Sequence, residues 1–178
     1  MILDAELAGF QVAGFKLLYD QARTPGANEV WNFLLGDTGV HVIHIVRRNL
    51  LAIYVSFEVA KRTAVWSLPA EQHGSSSCEP FDIDPDDCAK FFAQIEARRF
   101  MADAWFAGHR TLTIEYERDL CEMFEATVER VWKFMGVASF PAVRALRKQA
   151  CRPIRQQIRN FESVKQHFEA TKFAEFFD

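Results

Sequence analysis

Two short runs rich in β-branched residues, HVIHIV at 41–46 and TLTIEY at 111–116, constrain this chain most. Branched side chains suit a pleated, buried surface, so both runs read as strands. Long helical patterns lie between them, one from about Leu50 to Leu68 and one opened by Asp84-Pro85 and running to Phe106. Aspartate at the N-cap followed by proline at the first helical position is a helix-start signature. Residues 11–18 (QVAGFKLL) read as a further short strand. Residues 26–35 read as a helix with Val30, Phe33 and Leu34 on one face, ended by Gly36 and Gly39. A breaker-rich loop spans 69–80, a helix from about 120 to 135 ends at Gly136, and the tail from 143 to 178 reads as helical with a break at Pro153. The order strand, helix, strand, helix, helix, strand, helices predicts an α/β fold, a parallel sheet flanked by helices. No repeat or linker divides the sequence, so residues 1–178 are expected to form a single domain.

Composition narrows the function classes. A length of 178 residues is enough to bury a real core. The net charge of -3 argues against a dedicated duplex-binding role, so no nucleic-acid partner is expected. Cys78, Cys88, Cys121 and Cys151 show neither CxxC nor zinc-site spacing, which points to a reducing, cytoplasmic setting. The opening residues lack the pattern of a signal peptide, and no run approaches the roughly 20 apolar residues of a membrane span. Seventeen phenylalanines imply a Phe-rich core, with an apolar acceptor pocket or a subunit interface as other uses.

The strand-to-helix junction at 46–50 is the best place for chemistry. Ligands bind outside the carboxyl ends of parallel strands, and a helix N-terminus there favours an anion. Arg48 adds a two-pronged phosphate donor. Ser56 falls on the same helical side as Asn49, with a rise of about 12 Å from Arg48. A surface arginine pair and a serine bonded to its own backbone fit the same spacing. The basic residues Arg144, Lys148, Arg152, Arg155 and Arg159 step by three or four, as on one helical face, either a solvated surface or a lid over a phosphate. His41 and His44, three apart on a strand, point to opposite faces and cannot share a metal. Asp82, Asp84, Asp86 and Asp87 lack the glycine and glutamate of a calcium loop, so helix capping explains them better. Glu115 and Glu117 flank Tyr116 and face opposite ways.

Together these segments resemble the PAPS-dependent sulfotransferases, especially the bacterial branch with nodulation-type and trehalose-type enzymes. VIHIVRRNLLAIYVSFEVAKRTAVW resembles the 3′-phosphate motif, with Arg48 at a strand end and Ser56 eight positions later. TLTIEYERDL resembles the strand carrying "YE-x-x-L", and Lys148, Gln149 and Arg152 sit in a "KQ-x-x-R" pattern. GFKLLYDQ resembles the strand that carries an active-site lysine, here Lys16. The resemblance implies a P-loop-NTPase-like sulfotransferase fold and transfer of a sulfuryl group from PAPS to a hydroxyl, on a carbohydrate or small-molecule acceptor, leaving PAP. Arg48 and Ser56 would hold the 3′-phosphate, Lys148, Gln149 and Arg152 would close over the nucleotide, and Lys16 would stabilise charge on the transferring group. No metal is implied. The family opens with a strand, a phosphosulfate-gripping loop and a helix, whereas only thirteen residues precede Gly14. The chain therefore reads as N-terminally truncated: a fragment, or a homodimer that covers the gap. A degenerate fold that binds a nucleotide or a partner without transfer is the alternative. Asp20 and His44 are the candidate bases.

Overall fold

A computed structural model describes residues 11–24, 28–69, 78–147 and 152–178. The chain forms two compact units, each assembled from two separate stretches: Met1–Val46 with Arg98–Ala142, and Arg47–Ala97 with Val143–Asp178.

The first unit is built on a parallel strand pair. β1 (Val42–Val46) runs beside β3 (Thr111–Glu115) in a register from Val42 opposite Thr111 to Val46 opposite Glu115. Both strands and their parallel pairing are as the sequence implies; among the described residues this sheet has two strands. α1 (Asn28–Gly36) buries Trp31 and Leu34. Trp31 packs against Trp105 at 5.4 Å, and the Arg23 guanidinium lies 4.0 Å from the Trp31 ring centre and 4.5 Å from that of Trp105. Arg23 is exposed, and cation–π contacts at such sites are worth about 0.5–1 kcal/mol. They anchor an irregular segment, because residues 12–18 are not the strand expected from QVAGFKLL. A strand exists only through a ladder, and no described strand pairs with that stretch.

After β3 the chain enters a π-helical turn, Tyr116–Glu122, ahead of α4 (Phe124–Met135), where the sequence predicts one helix from about 120. Asp119 explains the wider turn. Its carboxylate is fully buried and accepts the Glu115 amide at 2.8 Å. Arg118 donates to it at 2.9 Å and Arg130 approaches to 3.3 Å. The Thr127 hydroxyl donates to the Asp119 carbonyl at 2.8 Å. The Arg118 hydrogen bond, with the Glu115 amide, pushes the Asp119 carboxyl down to about 2.

The second unit holds a continuous apolar core. α2 (Leu50–Thr63) begins at Asn49, whose side chain accepts the Ala52 amide at 2.8 Å. It stops five residues before the expected Leu68, with Ala64 in the left-handed region at φ 55. Leu68–Pro69 instead forms β2, antiparallel to β4 (Leu146–Arg147). α3 (Pro85–Trp105) starts as predicted, with Asp84 accepting the amides of Asp86 at 2.8 Å and Asp87 at 3.1 Å; its residues from Arg98 onward belong to the first unit. α5 (Ile154–Gln157) and α6 (Phe161–Phe168) follow, then a 3-10 turn at Ala174–Phe177. Asn160 ties Ile83 on both sides, accepting its amide at 3.0 Å and donating to its carbonyl at 2.9 Å. Leu51, Val55, Val59, Phe92, Val164 and Phe168 form the centre. Phe92 meets Phe168, Phe173 and Phe176 at 5.1 to 5.8 Å, so part of the phenylalanine excess is core.

The tail corrects the expected helical face. Arg147 lies in β4, α5 is four residues long, and Arg152 sits outside both. Arg144, Arg152, Arg155 and Arg159 therefore do not share one helix: β4 and Pro153 interrupt the three-to-four spacing. Lys148, Gln149 and Cys151 lie outside the described residues.

Candidate functional site

In the second unit, Arg47, Arg48 and Asn49 precede α2. Asn49 accepts Ala52's amide through its side chain and Ile53's amide through its carbonyl, at 3.2 Å. These bonds fix the first turn, so its positive dipole end points where Arg48 stands. Arg48 is exposed. Leu50, Leu51, Tyr54 and Val55 are buried, and they lock the rotation of α2 about its axis. With that rotation, Ser56 is half-buried two turns along. Arg48 thus stands one residue before the Asn49 cap, and Ser56 stands on α2 itself.

An open groove of about 350 Å³ in the same unit reaches Asn49. Its lining includes Arg155, Lys165, Phe161, Phe176 and Phe177. Both cations have carboxylate neighbours: Arg155 donates to Glu162 at 2.6 Å, and Lys165 to Asp178 at 3.0 Å. Among the described residues of the basic run, Arg155 lines the groove with Asn49. Arg152 is exposed, and its carbonyl accepts Gln157's side-chain amide at 2.7 Å. Arg159 pairs with Asp82 at 3.1 Å and donates to the Pro80 carbonyl at 2.8 Å. Exposed pairs of this kind are worth about 0–1 kcal/mol and exchange readily for another anion.

The first unit carries the other candidates. Lys16 is exposed on the irregular segment. Asp20 pairs with Arg98 at 3.4 Å. His44, on β1, meets two residues that the sequence reading missed. The Tyr19 hydroxyl lies 2.7 Å from His44 Nε2, and His44 Nδ1 lies 3.3 Å from an Asp103 carboxylate oxygen. Tyr19, His44 and Asp103 come from three separated stretches, so no local motif links them. The legible signal was a histidine alternating with apolar residues on a strand, which called for a polar partner. Burial pushes the Tyr19 phenol up, Arg99 opposes that, and Asp103 adds to it. Among the described residues no group of three His, Cys, Asp or Glu side chains is placed to hold a metal ion. No described helix is long and apolar enough to cross a membrane.

The architecture is that of a mixed α/β protein with a capped helix behind a strand-end arginine. The chain is 30% identical over 142 residues to Nodulation protein H of Rhizobium meliloti strain 1021, a stretch covering 79% of this chain and 57% of that protein. Nodulation protein H of Rhizobium meliloti matches to the same extent. The sequence is thus similar to Nodulation protein H, and it spans somewhat over half the length of these relatives. No protein-family profile matches the chain. No solved structure matches it.

Proposed function

We propose that this chain is a sulfotransferase-like protein whose second unit binds the nucleotide end of PAPS and which serves transfer of a sulfuryl group to a hydroxyl acceptor, a small molecule or a carbohydrate. One observation carries the reading: Arg48, the Asn49 cap and Ser56 stand together at and along α2 in a chain related to Nodulation protein H. In this reading the 3′-phosphate accepts paired N–H bonds from Arg48 and the Ser56 hydroxyl, with the α2 dipole adding attraction. Lys148, Gln149 and Arg152 close over the nucleotide, and Lys16 meets negative charge developing on the transferring group. The reaction needs no metal, because the leaving group is already a weakly basic phosphate. Large apolar side chains exposed among the described residues of the first unit, such as Phe15, Ile45 and Phe100, favour pairing with a second copy. A monodisperse monomer in light scattering would remove that part of the reading.

The test is calorimetric titration of the chain with PAP, beside an Arg48→Ala variant. Wild-type binding should weaken at least roughly tenfold in the variant, since a charged hydrogen-bond pair contributes about 1.5–3 kcal/mol. A folded wild-type chain that takes up no PAP would overturn the nucleotide site.

A further inference from the structure

The first unit holds a chain of three groups that the nucleotide site does not use. The Tyr19 hydroxyl is 2.7 Å from His44 Nε2, with the two rings edge to face at 6.0 Å and 82°. On the ring's far side, Asp103 stands 3.3 Å from Nδ1. The His44 side chain is 12% exposed and that of Asp103 69%. A carboxylate facing Nδ1 favours the tautomer with its proton there, which leaves the Nε2 lone pair to accept the tyrosine hydroxyl. The hydroxyl thus donates into a base whose resulting cation has a carboxylate waiting. That is the ordering by which a positioned histidine activates a hydroxyl. Arg99 and Asp103 are the charged groups that act on Tyr19, and they act in opposite senses. Because its phenol is pushed up, Tyr19 keeps its own proton at neutral pH and needs the histidine to pass it on. The pair also sits in a suggestive place: Tyr19 follows Lys16 by one short stretch of the same irregular backbone, and such surface segments commonly carry function.

We infer that Tyr19, His44 and Asp103 form a proton relay with the tyrosine hydroxyl as its reactive end, which takes the proton of the sulfuryl acceptor. The inference rests on the sulfotransferase reading for the reaction it serves. In the step, the acceptor's O–H proton moves to Tyr19 Oη while the Tyr19 proton moves to His44 Nε2. The acceptor oxygen forms its bond to sulfur. The bond from sulfur to the donor's bridging phosphate oxygen breaks, and its electron pair leaves with the phosphate of PAP. Asp103 stabilises the imidazolium that results. Tyr19 is the group that touches the acceptor; His44 and Asp103 act through it.

A sulfonyl fluoride tests this without any donor, because it labels tyrosines whose proton a neighbouring base removes. The full chain is treated at pH 7 with phenylmethanesulfonyl fluoride, and labelled peptides are quantified by mass spectrometry. Tyr19 should label, and its rate should fall at least tenfold in His44→Gln. It should fall several-fold in Asp103→Asn, an exposed site whose replacement leaves the fold intact. PAP binding by calorimetry should be unchanged in both variants. A Tyr19 that does not label, or that labels at the same rate in folded Asp103→Asn and His44→Gln, overturns the relay. Labelling that depends on His44 in a chain that takes up no PAP sustains the activated tyrosine and removes the donor reading instead.

Discussion

The two units use the same amino acids to opposite effect. The second gathers Leu, Val, Ile and Phe from α2, α3 and the tail into one core, with Leu51, Phe92 and Val164 fully enclosed. The first buries chiefly Trp31, Leu34, Ala102 and Ile114, with Asp119 and Thr127 beside them, and leaves Phe15, Phe33, Ile45, Phe100 and Phe140 exposed. Hydrophobic burial scales with apolar area removed from water, at about 25 cal/mol per Å². The second unit is therefore held by packing, whereas the first leans on directional contacts: the strand ladder, the Arg23 stack and the Asp119 knot. The first unit therefore tolerates single losses of contact poorly wherever a buried polar group, such as the Glu115 amide facing Asp119, would be stranded.

The sharpest test of that contrast compares two phenylalanines on one helix. Phe92→Ala empties the middle of the second unit's core and should cost about 3–5 kcal/mol in denaturant unfolding. Phe100→Ala, at a position 76% exposed, should stay within about 0.5 kcal/mol. Equal costs would mean that the first unit has a packed interior after all. Next in size is Asp119→Ala, which strands the Glu115 amide and should cost about 2–3 kcal/mol. Its pH dependence has a fixed sign. The folded carboxyl lies at about 2, below the ordinary range near 4, so its contribution is complete above about pH 4. That contribution fades as pH falls toward 2, and the gap between wild type and Asp119→Ala in urea midpoints should close over that window. A gap independent of pH would show that the charge plays no part in the knot. The smallest effect concerns the bare sheet face. Ile45→Thr, at a position 54% exposed, should move stability by no more than about 0.5 kcal/mol while lowering binding of a hydrophobic dye. A large loss of stability there would mean that the face is covered in solution.

The sequence made the parallel pair legible because β-branching and period-two alternation are local properties of HVIHIV and TLTIEY. The start of α3 was equally readable, since Asp84 and Pro85 act on backbone groups within one turn. Residues 11–18 misled because a strand needs a neighbour, and apolar composition does not say whether one is present. The π-helical turn was hidden for a similar reason: it goes with an Asp119 that Arg130, eleven residues further along, approaches. The arginine spacing in the tail looked helical, yet Pro153 and the pairing of Leu146–Arg147 with Leu68–Pro69 outweighed it. At the candidate site, Arg48 and Ser56 could be read together because one stands just before the Asn49 cap of α2 and the other on α2 itself. The Tyr19, His44 and Asp103 set could not, because three distant segments meet only once the chain has folded.

The interleaving of the two units also sets a timetable for synthesis. Arg47–Ala97 leaves the ribosome first, and its companion stretch begins only at Val143. The roughly 45 residues between them take about 2–9 s at roughly 5–20 residues per second. For those seconds the inward faces of α2 and α3, with Leu51, Val55, Val59 and Phe92, have no lid of phenylalanines to meet. Slow codons inside Arg98–Ala142 would prolong that bare interval, and fast ones would shorten it, so the yield of folded protein should follow the pace at which a different unit is being made.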